Sequence, residues 1–310
     1  PRTVTRERLA HLAKLGFNRL SFGVQDFDED VQRAVHRIQP FDSVKTLVEA
    51  AREIGFESIN VDLIYGLPMQ TPVSFKRTVS QVNALRPDRI ALYAYAHLPQ
   101  RFKPQRRIST DDIPPPSDRV NMLSEAITSF LQDGYTYIGM DHFALPDDSL
   151  AVAKRQGRLH RNFQGYSTQP DCDLVALGVS AIGHIGATYS QNAKTLPEYY
   201  DALRQGQLPI ARGLALTRDD LIRRAVIMAL MCQGRLEFES IELAHLVSMR
   251  EYFGPELAQM ETLAEQGLVE IEPGAIQVTR MGWYFVRAVA MVFDRHLQAG
   301  RVRERFSRII

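Results

Sequence analysis

The chain has 310 residues, 45% of them hydrophobic, enough for one large core or two smaller ones. Its 37 Lys+Arg against 36 Asp+Glu leave a formal charge of +1, so no global field recruits nucleic acid or an anionic membrane. No apolar run reaches the length of a membrane span and no secretory signal opens the chain; a start at Pro1 rather than Met reads as a processing boundary. In chain order, residues 19–24 (RLSFGV) form a short apolar run ending at Gln25. Helical spacing follows at Val31, Ala34 and Val35 after the acidic opening Asp28-Glu29-Asp30. Val44, Leu47, Val48, Ala51 and Ile54 mark one face of a second helix, closed by Gly55. Residues 59–67 read as a buried strand stopped by Gly66 and Pro68, Thr71-Pro72 opens a helix, and residues 90–95 make a third strand.

Three strands with helices between them predict βαβ units and a parallel sheet. Such sheets place ligand sites at the C-terminal strand ends, so Gln25, Asp62 and residues 95–97 are expected on one rim. Beyond the stiff Ile113-Pro114-Pro115-Pro116 linker, Val120, Leu123, Ile127, Phe130 and Leu131 predict a helix, and residues 135–140 a further strand leading into Asp141-His142-Phe143. Residues 144–192 lack periodicity and read as an irregular binding surface or cap. Near residue 213 the composition shifts. Thr217–Asp220 resembles a capping box before a helix; a helix at 256–265, a hairpin around Pro273-Gly274 and a helix at 282–296 complete a winged-helix-like module.

Several residues could carry chemistry. Gln25 ends a strand, where an amide orients either a ligand or a neighbouring loop. Arg37 would close the following helix, where a cation suits the helix terminus and also grips carboxylates. Asp62 interrupts an apolar strand; a buried carboxylate there needs a cation, several donors or a ligand hydroxyl. Asp141-His142 could be an acid–base pair, although neighbours on a strand face opposite ways. Residues 160–166 (HRNFQGY) suit a flat ligand with a polar rim, and equally a structural turn. Gly178, Gly183 and Gly186 permit close backbone approach, a weak signal. Cys172 and Cys232 lack metal-ligand spacing and read as two semi-buried thiols in a reducing, cytoplasmic setting. Arg301, Arg303, Arg305 and Arg308 form a basic tail, but the module shows no basic recognition helix, so no nucleic-acid partner is expected.

Seven strings together resemble one family. They are residues 18–27 (NRLSFGVQDF), 60–68 (NVDLIYGLP), 95–99 (YAHLP), 139–143 (GMDHF), 160–166 (HRNFQGY), 178–182 (GVSAI) and 306–310 (FSRII). The family is the bacterial oxygen-independent coproporphyrinogen III oxidases, radical S-adenosylmethionine enzymes of haem synthesis. The resemblance implies an α/β fold: the C-terminal half of an incomplete (βα)6 barrel followed by the winged-helix-like domain. It implies boundaries at 1–112 for the barrel half, 113–212 for linker, cap and substrate loops, and 213–310 for the C-terminal domain. It implies two S-adenosylmethionine molecules, a 4Fe-4S cluster, a porphyrinogen substrate, an electron donor of flavodoxin or ferredoxin type, a monomer and no membrane. Gln25, Arg37, Asp62 and Ala96 match positions contacting the second S-adenosylmethionine, and Ile182 matches one contacting the first. A substrate with four propionates calls for cationic side chains, and Arg161 is the candidate.

The family's cysteine triplet and glycine-rich GGGTP-type stretch, which lie upstream in the resemblance, are absent from this chain. Neither metal ligands nor catalytic residues are therefore expected among its residues, and the chain as given is expected not to make the radical. A haem-binding chaperone of the same superfamily is the alternative; residues 160–166 favour the oxidase.

Overall fold

The computed structural model describes residues 3–170 and 172–300, with side chains to residue 297. The basic tail and the string 306–310 lie outside these residues. The chain divides into two compact units, one holding residues 1–152 and the other 153–304. The division falls inside the region expected to be linker and cap.

The first unit opens with α1 (Arg6–Lys14), β1 (Arg19–Gln25), α2 (Glu29–Ala34), α3 (Phe41–Ile54) and β2 (Ser58–Tyr65). It continues with α4 (Pro72–Leu85), β3 (Arg89–Ala94), α5 (Pro116–Gln132), β4 (Thr136–Gly139) and β5 (His142–Ala144). Local chemistry explains the boundaries. Asp28 caps α2 through the Asp30 and Val31 amides. Thr71 and Ser74 form a capping box with Pro72 in the first turn of α4. Gly55 ends α3 at φ 102°, a conformation that glycine adopts without strain.

Strands β1, β2 and β3 pair in parallel, with Gly23 opposite Asp62 and Asp62 opposite Ala91. The parallel expectation stops there. Residues 136–144 fold back as an antiparallel hairpin, giving the order β1-β2-β3-β5-β4. The turn is Met140-Asp141, at φ 41° and 68°. Asp141 is therefore a turn residue and His142 a strand residue. The His142 Nδ1 lies 2.7 Å from the Met140 carbonyl, a contact that closes the same turn.

One face of the sheet is apolar. Phe22, Val24, Ile59, Val61, Leu63, Ile90 and Leu92 are buried in a core completed by Val44, Val48 and Ala51 of α3 and Met122, Ala126 and Phe130 of α5. These helical positions recur every three or four residues, so one stripe of each helix meets the strands. Along β2 the alternation puts Asn60, Asp62 and Ile64 on the other, partly open face.

The second unit takes in β6 (His160–Asn162), β7 (Gly165–Ser167), β8 (Ile182–Ile185), β9 (Thr188–Asn192), α7 (Leu196–Arg204), β10 (Ile210–Ala215) and α8 (Arg218–Met228). The unit boundary itself falls within the helix α6 (Ser149–Arg155). Residues 144–192 are thus not irregular: they hold a helix and two hairpins, β6–β7 and β8–β9. Their strands are three to five residues long, too short for alternation to show in the sequence.

A single π-turn, Ala229–Gln233, extends α8. Next come β11 (Arg235–Glu237), Phe238–His245, Met249–Tyr252, Gly254–Glu265, β12 (Val269–Glu272) and β13 (Ala275–Val278). The sheet order β11-β13-β12 behind helices is the wing that the sequence predicts. The closing helix 282–296 is instead broken into a 3₁₀ turn at Gly282–Phe285 and helices Val286–Met291 and Arg295–Gly300. The first break has a local reason: Gly282 donates its amide to the Thr279 hydroxyl at 2.9 Å and sits on the Leu268 carbonyl.

Candidate cofactor and substrate sites

At the C-terminal end of β1 the ladder slips by one residue between Gly23 and Gln25. Gln25 adopts φ 70°, rare for a residue with a side chain, and its amide curls back over Gly23. Arg37 reaches the same place from the loop after α2. It does not end that helix, which stops at Ala34 with His36 at φ 53°. The Arg37 guanidinium donates to the Gly23 carbonyl at 2.7 Å. A Cβ on Gly23 would meet Arg37 Nη2 at 2.8 Å and Gln25 Nε2 at 2.9 Å, so the two side-chain ends fold directly over this glycine.

Gln25 and Arg37 thus meet over Gly23, and Asp62 stands at the paired position on the neighbouring strand. Asp62 is not the costly buried carboxylate that the apolar run suggested. It is half-buried and accepts from Ser21 Oγ at 3.0 Å and Asn60 Nδ2 at 2.7 Å. Ala96 lies just past β3; its carbonyl accepts from Gln105 Nε2 at 3.0 Å, and no described hydrogen bond joins it to the Gly23 cluster. Ile182 belongs to the other unit, at the start of β8 and 36% exposed.

Sequence reading missed the scaffold beneath. Asp26 is buried and accepts from the Asp28 amide, the Thr78 hydroxyl at 2.7 Å and the Gln70 amide. Gln70 also accepts from the Gly66 and Leu67 amides, tying the loops after β1 and β2. Gln32 and Gln39 exchange hydrogen bonds at 2.9 and 2.8 Å and hold the end of β1 through Gln39 Nε2 on the Gly23 carbonyl. A run of amides carries no periodic signal, so only the fold reveals this network.

Burial raises the Asp26 carboxyl above its ordinary value of 3.8, against the hydrogen bonds that lower it. Between the unfolded and the raised folded value the native state holds more protons, so stability should fall as pH rises through that window. Asp26→Asn should remove this slope, seen as a smaller shift of the urea midpoint between about pH 4 and pH 7.

The second unit contains a cavity of about 720 Å³. Its walls include His160 and Arg161 of β6, Phe163 of the following turn, His184 of β8 and Met228 and Met231 beside and in the π-turn. Arg161 lies 5.0 Å over the Tyr166 ring, and Tyr166 donates to the Met231 carbonyl at 3.0 Å. A cavity of this size suits a ligand larger than a single amino acid.

Family models match both parts of the chain. The radical SAM superfamily model covers residues 1–82, and the HemN C-terminal domain model covers 216–285. The oxygen-independent coproporphyrinogen III oxidase of Pseudomonas aeruginosa is 51% identical over 310 residues, covering 100% of this chain and 67% of that protein. The chain belongs to the oxygen-independent coproporphyrinogen III oxidase family. The oxidase of Escherichia coli K12 is 49% identical over 310 residues, covering 100% of this chain and 68% of that one. The solved structure of coproporphyrinogen III oxidase (HemN) from Escherichia coli, a radical SAM enzyme, matches with a TM-score of 0.93 at 49% identity over 96% of this chain and 68% of its own.

Membership in this oxidase family implies S-adenosylmethionine and a 4Fe-4S cluster. The Gly23 cluster fits the former chemically: Gln25 Oε1 is buried without a hydrogen-bond partner, Arg37 can pair with a carboxylate, and Asp62 can accept from hydroxyls or an amine. The cluster finds no fit here. Among the described residues no group of His, Cys, Asp or Glu is arranged to hold a metal. The two thiols are not both semi-buried: Cys172 is exposed, whereas Cys232 is buried and its thiol is pushed up to about 12 by burial. Among the described residues no helix is long and apolar enough to cross a membrane.

Proposed function

We propose that this chain is the part of an oxygen-independent coproporphyrinogen III oxidase that binds a second S-adenosylmethionine and faces the substrate. The reaction is oxidative decarboxylation of two propionates of coproporphyrinogen III to vinyl groups, giving protoporphyrinogen IX. The observation that carries it is the folding of Gln25 and Arg37 over Gly23, with Asp62 at the paired position of β2, in a chain with these relatives. S-adenosylmethionine held at a cluster would supply the radical chemistry needed at a propionate.

This chain's own residues bind and orient. Arg37 pairs with the methionyl carboxylate, Gln25 and Asp62 take the remaining polar groups, and Ala96 gives shape and a backbone contact. Ile182 serves the S-adenosylmethionine at the cluster in the same apolar way. Arg161 holds the porphyrinogen. The relatives' names favour the oxidase over a haem-binding chaperone. An electron donor of flavodoxin or ferredoxin type, a monomer and a cytoplasmic location complete the proposal. The test is anaerobic turnover of the full-length, cluster-reconstituted protein: vinyl products with carbon dioxide release are expected, and stable haem binding without either would sink the reading.

Arg161→Ala should weaken porphyrinogen binding about tenfold, the effect of one charge-assisted hydrogen bond, while cleavage of S-adenosylmethionine continues. Binding assays beside 5′-deoxyadenosine quantification check it.

A further inference from the structure

Two buried nitrogen atoms without a hydrogen-bond partner line the second-unit cavity, Arg161 Nη1 and His184 Nε2. His184 is only 8% exposed. A buried polar atom left unpaired is costly, and native proteins rarely tolerate two around one cavity unless something else satisfies them. Both are held on built elements. The His184 ring lies against Tyr189 with centroids 4.7 Å apart, and Phe163 meets Tyr189 edge-on at 5.1 Å. That row of rings joins the β8–β9 hairpin to the hairpin carrying Arg161. Arg161 is steadied by Tyr166, which is anchored in turn on the π-turn, a distortion often found at functional sites.

The other charges around the cavity are already engaged. Arg223 pairs with Asp219 and Glu256, Arg295 with Asp219 and Asp220, and Asp173 accepts from the Gly186 amide at 2.8 Å. The one thiol near Arg161, Cys232, is kept neutral by its burial, so it supplies no counter-charge.

We propose that Arg161 and His184 form a carboxylate subsite in this cavity that holds one propionate of the tetrapyrrole, an inference that rests on the oxidase reading for the identity of its ligand. A guanidinium and an imidazole N–H offer one donor to each carboxylate oxygen. His184 is a positioning residue here; the reaction occurs elsewhere on the substrate.

The probe is coproporphyrin III, the stable oxidised tetra-acid, titrated by fluorescence into the full-length, cluster-reconstituted protein alongside its neutral tetra-amide. The wild type should bind the acid about tenfold more tightly than the amide. His184→Leu should lose most of that preference with the amide affinity unmoved, and His184→Gln, whose Nε2 can take the same place, should restore it to within about threefold. Equal loss for acid and amide in His184→Leu marks a packing role and overturns the subsite, as does an unchanged preference. Wild-type turnover is scored separately. If it forms no vinyl groups the oxidase reading fails, while the acid-over-amide preference still decides the subsite.

Discussion

Asp62→Ala in the full-length protein should lower the S-adenosylmethionine bound per chain from two molecules to one. The remaining polar partners at Gly23 include the donors Arg37 guanidinium, Gln25 amide nitrogen and Gln39 Nε2, with neutral amide oxygens on Gln25 and Gln39 as weaker acceptors. Asp62 is the sole carboxylate placed opposite Gly23 across the β1–β2 pair, so its loss removes the charged acceptor for ligand hydroxyls or amine. Loss of a charge-assisted hydrogen bond weakens binding about 10- to 100-fold. Stability should change by less than about 1 kcal/mol, because Ser21 and Asn60 are open enough to turn to water. Equilibrium dialysis with labelled S-adenosylmethionine counts the sites, and two sites of undiminished affinity in the variant would remove Asp62 from the cofactor pocket.

Gly282→Ala should be the most damaging single-methyl change in the C-terminal module. A Cβ there would fall 1.8 Å from the Leu268 carbonyl oxygen and 3.0 Å from Val278 Cγ1. The obstacle is backbone at the mouth of the β12–β13 hairpin, which cannot swing aside as a side-chain end can. The Thr279 hydroxyl, which accepts from the Gly282 amide and donates to the Gly267 carbonyl at 2.7 Å, would be displaced with it. A forced shift of this kind costs several kcal/mol, at about the upper end of point-mutation effects. Calorimetry should show the variant melting far below wild type. Gly267→Ala, with nothing within 4 Å of its Cβ but φ at +73°, should cost only about 1 kcal/mol, the ordinary left-handed penalty. Equal melting temperatures for Gly282→Ala and wild type would refute the argument.

Most elements of the first unit can be read from spacing alone, because the longer helices α3, α4 and α5 each bury a stripe of side chains; α1, which buries only Leu9, gives no such signal. Thr71, Asp28 and Gly55 act locally, and local signals survive in a linear string. Of the hairpin at residues 136–144, the spacing shows only the first strand. Its turn uses Met140 and Asp141 at positive φ, a conformation that the more usual Asn-Gly pair would have advertised. The broken final helix hid for a related reason: an apolar run keeps its helical period through a 3₁₀ turn.

The candidate site divides along the same line. Gln25, Asp62 and Ala96 lie on strands or just past them, positions that βαβ order alone sends towards one rim, whereas Arg37 was expected at a helix end and reaches Gly23 only through the fold. The family strings then attach a cofactor to them. Asp26, Gln32, Gln39 and Gln70 were invisible, since their roles depend on which loops meet rather than on any spacing.

By itself, the sequence determined that this chain alternates strand and helix, ends in a winged module and carries its polar residues at the C-terminal strand ends, because periodicity and capping are properties of neighbours. Only the tertiary structure decided that Arg37 folds over Gly23, that Asp62 faces the open side of the sheet, and that Arg161 and His184 share one cavity. Such meetings join residues far apart in the chain, and only the packing of the strands and loops that carry them can set the distance between the groups.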